Sequence, residues 1–179
     1  VILVDKASGE LFQITSEYNH LNDPKKPLDK KIIQVTGISD EDVIGQEINW
    51  EQVDVILEDV DFITSFNAKF DRSFIDVKSK VSSEKKWVCS FEQIQWNEDG
   101  FPEKSQKNLG FYHGFFYDAH RAINDVYALI HLLSHKDIRD NIYFKTLLTE
   151  IEKTVYLVIA KKTSFDKKAY FNFKNYQWN

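Results

Sequence analysis

At 179 residues and 21.1 kDa the chain is the size of one domain with a short appendage, and 42% hydrophobic against 28% charged residues is a globular composition, not a disordered one. Its apolar runs are too short to span a bilayer, and a net charge of −5 argues against a protein that coats nucleic acid by charge alone. A single cysteine, Cys89, excludes a disulfide framework within the chain and leads us to expect a reducing, cytoplasmic setting.

The N-terminus is unusual. There is no methionine, where average usage predicts roughly four, and Val1 opens inside an apolar run. The expectation is that the sequence lacks residues, a segment before Val1 among them.

Val1–Val4 reads as a strand, Asp5–Gly9 as a polar turn, and Glu10 to about Leu21 as a second strand of the same hairpin. Asn22–Pro27 is a proline-interrupted loop. Ser39 caps a short acidic helix beginning Asp40-Glu41-Asp42, and Ile48, Val53, Ile56, Leu57 and Val60 recur at helical spacing through Glu47–Val60. Asp61–Phe66 is a β-branched and aromatic run, predicted to be a buried strand. Asn67 then caps a helix presenting Phe70, Phe74 and Val77.

Trp87–Cys89 is a short strand candidate, with Ser90-Phe91 opening another helix, and Asn97–Ser105 is a loop. Helical signals resume at Gln106–Tyr112. A longer helix is predicted from about Ala119 to Leu133, with Ala122, Val126, Leu129, Ile130 and Leu133 on one face. Ile138–Lys153 predicts a further helix, Thr154–Ala160 a strand, and Ser164–Lys174 a last short helix before an aromatic tail. A meander followed by alternating helices and strands implies a mixed sheet covered by helices.

Two stretches have residue types suited to chemistry. Asn67-Ala68-Lys69-Phe70-Asp71 lies where a strand gives way to a helix, the edge at which open α/β sheets bind ligands; a solvated Asp favoured by the helix start is the plainer reading. In Asp118–Asp125, His120 at a helix start is kept neutral by the helix dipole, with Asp125 about a turn and a half further on. An exposed capping pair is the plainer reading there. A third stretch, Val35–Val43, is architectural. His20, His113, His131 and His135 lack zinc-site spacing with the cysteine.

Taken together, Thr36–Val43 (T-G-I-x-D-E-D-V), Asn67–Asp71 (N-x-x-F-D) and His120–Asp125 (H-R-A-x-x-D) resemble the DEDDh, or DnaQ-like, family of 3′→5′ exonucleases over residues 1–134. The resemblance implies an α/β, ribonuclease H-like mixed β-sheet, an antiparallel meander followed by parallel strands, flanked by helices. Residues 135–179 would form a C-terminal helix–strand–helix appendage, similar to a small module in some bacterial exonucleases.

The family's chemistry is two-metal phosphodiester hydrolysis with Mg²⁺ or Mn²⁺. By motif position Asp125 would ligate the ion nearest the attacking water, Asp71 the second ion, and His120 would be the general base. Asn67 and Phe70 would support the nucleotide. The implied substrate is a single-stranded or frayed 3′ end of DNA, or short RNA, degraded to nucleoside 5′-monophosphates, with polymerase association and no membrane. The family's first motif, Asp-x-Glu, is absent; Asp5-Lys6-Ala7 does not supply it, and it is expected about ten to fifteen residues before Val1. The alternative reading is a catalytically inactive exonuclease-like module that binds nucleic acid or a polymerase. An endonuclease of ribonuclease H type is a third.

Overall fold

The computed structural model describes residues 1–154 and 164–173. Asp5 organises the first turn. Its Oδ1 accepts from the Ala7 and Ser8 N–H groups at 3.0 and 2.6 Å and from the Ser8 hydroxyl at 2.9 Å, the local bonding that makes Asp a turn former. The turn joins β1 (Ile2–Val4) to β2 (Leu11–Ile14), antiparallel, with Ile2 opposite Ile14 and a bulge at Leu3/Val4. Gly9 closes it with φ +81°; a Cβ there would stand 2.5 Å from the Lys145 backbone nitrogen, so only glycine lets the two segments meet.

Helices dominate the chain beyond this hairpin. Asp29 caps α1 (Lys30–Thr36), and Gly37 ends it in the left-handed region at φ +64°. Ser39 and Asp42 form a reciprocal capping box on α2 (Asp40–Val43). Asn49 caps α3 (Trp50–Glu58). Strand β3 (Ile63–Ser65) leads into α4 (Ala68–Ile75), then α5 (Lys80–Glu84), and β4 (Trp87–Cys89) pairs in parallel with β3, Ile63 opposite Trp87 and Ser65 opposite Cys89. A serine layer ties the intervening helices together: the buried Ser79 hydroxyl donates to Asp54, and the buried Ser82 hydroxyl donates to Asp76 at 2.7 Å. After α6 (Ser90–Gln93) come α7 (Gln106–Tyr112), α8 (Ala122–Leu133) and α9 (Tyr143–Glu152). Beyond residue 163 a short 3₁₀ turn, Phe165–Lys167, continues into α10 (Lys168–Phe173).

The core lies where α7, α8 and α9 meet β4 and the segment after α6. Val88, Ile94, Trp96, Leu109, Leu129, Leu132, Leu133, Tyr143, Phe144 and Leu147 form one buried cluster. Ile2, Val4, Phe62 and Phe66 pack on it from the strands. Trp96 is anchored twice, by its indole N–H donating to the Ser90 carbonyl at 2.9 Å and by the Tyr143 ring at 4.7 Å.

This architecture corrects the expected fold class. Helix accounts for 46% of the described residues, and among them the strands form two separate two-stranded sheets, not one mixed ribonuclease H-like sheet flanked by helices. The strands are too short and too few to make that sheet. The expected strand from Glu10 to Leu21 ends at Ile14, and the run Asp61–Phe66 yields three paired residues, half-buried. The family resemblance, which required that sheet, falls with it.

Element boundaries moved for local reasons. The helix expected from Ala119 begins at Ala122, because His120 adopts φ +73° and Arg121 is extended. Its buried face is Ala128, Leu129, Leu132 and Leu133, while Ala122 and Val126 are exposed. Helices α1 and α5 were not predicted, although Asp29, Gly37 and Ser79 are ordinary caps. Most of the expected strand Thr154–Ala160 and the tail from Lys174 lie outside the described residues.

Two substitutions test this arrangement. Leu132→Ala, in the fully buried cluster, is expected to cost about 2–5 kcal/mol in urea unfolding. Gly9→Ala should destabilise by about 2–5 kcal/mol, the sum of a left-handed alanine and an overlap with backbone that cannot move aside.

Candidate functional site

Strand β3 delivers the chain to the first stretch singled out in the sequence. Asn67 sits at the N-cap of α4 without a side-chain cap bond; its carbonyl accepts from the Phe70 N–H at 2.9 Å and the Asp71 N–H at 3.3 Å. Phe70 points outward, 62% exposed, with its ring 5.1 Å from Phe74, itself 60% exposed. Asp71 is half-buried, and burial pushes its carboxyl above the usual carboxylate value, a rise partly offset by the Ser65 hydroxyl and its own backbone N–H. The Ser65 Oγ is buried and makes no hydrogen bond of ordinary geometry.

The second stretch is held by its own backbone. The His120 N–H donates to the Asp125 carboxylate at 3.1 Å, and the Gln106 side chain donates to the Asp125 carbonyl at 2.6 Å. Asp125 thus braces the turn that begins α8, and the His120 residue is exposed. Arg121 ties the turn to the end of α1 by donating to the Gly37 carbonyl at 3.0 Å. Behind it, burial first and the Asp125 charge second push the Tyr117 phenol up to about 12.

The structure brings His120 and Asp125 together, with Asp71 on α4. Among the described residues no group of three or more His, Cys, Asp or Glu side chains is placed to hold a metal ion. The expected two-ion site therefore has no set of protein ligands among the described residues. That finding, with the helix-dominated fold, overturns the exonuclease reading and its non-catalytic alternative, the nucleic-acid or polymerase-binding module. Nor is any described helix long and apolar enough to cross a membrane.

What the sequence reading missed is the edge of β3. In a parallel ladder successive residues turn their backbone groups to opposite sides. The Ile63 N–H donates to the Lys86 carbonyl at 2.9 Å, so Ile63 and Ser65 face β4 and Thr64 faces away. Among the described residues no strand lies on that side, so the Thr64 N–H and C=O have no ladder partner there. The far edge of β4 is different: the Cys89 N–H donates to the Gln93 side chain at 2.5 Å, and α4, α6 and α9 pack against the strand. The signal was present in the sequence as Thr64-Ser65, two hydroxyl residues inside the apolar run Phe62–Phe66.

In comparisons with known proteins, no family model, no curated protein and no solved structure matches this chain.

The state of Asp71 has a measurable consequence. A carboxyl raised in the folded state favours folding fully below 3.8 and loses that contribution as pH rises through its folded value. Asp71→Asn, which cannot ionise, should therefore gain stability relative to the parent chain between pH 3 and pH 7 in urea titrations. A relative loss over that interval would contradict the assignment.

Proposed function

We propose that this chain is a binding domain that accepts an extended, basic peptide segment as an added strand along the edge of β3 that no described strand covers. The observation that carries the reading is the outward-facing backbone of Thr64, an N–H and a C=O on a strand with a described neighbour on only one side. Strand addition supplies those groups with partners, and pockets beside the strand then read the side chains.

Proteins usually blunt a free edge with a proline, a lysine or a bulge. Hairpin β1–β2 has such a bulge at Leu3/Val4, but the sequence of β3, Ile-Thr-Ser, carries no such device. The charge preference follows from Asp71 and Ser65. Burial disfavours the ionised Asp71 carboxylate, and the buried Ser65 hydroxyl of β3 offsets this only in part. A Lys or Arg on the incoming strand, beside Ser65, satisfies both. The net charge of −5 favours the encounter with a cationic segment.

The test is a titration of the ¹⁵N-labelled chain with two synthetic hexapeptides, one alternating Val and Lys and the other Val and Glu. The expected result is chemical-shift change centred on Thr64 and Ser65 with the Lys peptide only. Asp71→Asn should weaken that binding about tenfold, as loss of a partly desolvated ion pair would, and Thr64→Pro, which removes the edge N–H, should abolish it. Equal response to both peptides, or shifts elsewhere on the surface, would overturn the proposal. Broadening at Asp71 by Mn²⁺ with no response to either peptide would assign the edge to a cation instead.

A further inference from the structure

Three of the five histidines converge on one side of the core. His113 ends α7, His131 lies in the last turn of α8, and His135 follows one turn later. The His135 ring is central, with centroids of His113 and His131 each 4.9 Å away. Phe115 lies parallel to His135 at 6.0 Å and edge-on to His131 at 4.6 Å. Tyr143, at the start of α9, packs on His113 at 5.6 Å and continues to Trp96. The backbone runs through the same residue: the His135 carbonyl accepts from the Tyr143 N–H at 3.0 Å, and Lys136 pairs with Ile142 beside it.

The hydrogen bonding leaves the His135 ring suited to its neutral form. The His113 Nδ1–H donates to the Leu109 carbonyl at 2.8 Å. The His135 Nε2 is buried with no hydrogen-bond partner among the described residues. A proton there would add a charge without an acceptor among the described residues, beside two further imidazole rings. The titratable groups facing His135 are His113 from α7 and His131 from α8. Tyr143 on α9 is the next in contact, and the carboxylates of Asp99 and Asp137 act on its phenol.

We infer that His113, His131 and His135 form a pH-released latch between α7, α8 and α9, closed while His135 is neutral and opened when it takes a proton. Burial first, then the charges of His113 and His131, hold His135 below its ordinary value of 6.5. The unfolded chain therefore binds the proton more readily, so the latch contributes fully above pH 6.5 and is lost as pH falls below it. Because α9 packs on β4, opening the latch loosens the support of the β3–β4 ladder. The latch stands independently of the peptide-binding reading.

The experiment tracks the imidazole resonances and the Trp96 indole N–H resonance of the full chain from pH 8 to pH 5. His135 should titrate below 6.5, with the Trp96 signal changing alongside it. The unfolding equilibrium constant should rise by at least about threefold between pH 7 and pH 5. His135→Phe, which keeps the ring stack with Phe115, should flatten that slope, while His20→Gln, remote from the cluster, should not. A His135 titration at or above 6.5, or an unchanged slope in His135→Phe, overturns the inference. If His135→Phe does not fold, the imidazole titration of the parent chain decides alone.

Discussion

Leu132 and Leu133 stand side by side at the end of α8 and neither retains any exposed surface. Two consecutive residues on a helix point about 100° apart, so burying both requires packing partners on more than one side of α8. The chain meets that requirement with Leu109 from α7, Tyr143, Phe144 and Leu147 from α9, and Val88 from β4, all members of one cluster. Helix packing around α8 is thus the condition on which the strand pair, the turn at His120 and the histidine cluster all depend.

The small sheets arise from the same condition. Strand β4 is held on its outer side by helices and by Gln93, whereas β3 is held by β4 and α4. The asymmetry leaves one edge occupied and the other with the Thr64 backbone outside the ladder. Asp71 is desolvated because α4 turns its first residues back toward the end of β3, where Ser65 lies. The left-handed His120 and the bond from its N–H to the Asp125 carboxylate shape the turn from which α8 starts at Ala122.

The motif resemblance failed for a physical reason that individual residues make plain. Thr36–Val43 does form a helix end, a left-handed glycine and a capped short helix. Asn67 does stand at the junction of a strand with a helix. Local chemistry of this kind was readable because caps and turns use the side chains of near neighbours. A catalytic sheet is a different matter, since it requires strands remote in sequence to pair, and the apolar runs at Val1–Val4 and Asp61–Phe66 pair instead with β2 and β4 separately.

The sequence by itself determined the turn at Asp5–Gly9, the capping of α2, the helical spacing of α3, the short strand at Trp87–Cys89 and the helical character of Gln106–Tyr112, because each rests on bonds or periodicities a few residues long. Only the tertiary structure decided which face of α8 is buried, that no described acidic cluster is placed to hold a metal, that one edge of β3 has no described strand beside it, and that His113, His131 and His135 meet. Those outcomes depend on how far-separated segments share one core, and a side chain's neighbours across that core are not written in its own stretch of chain.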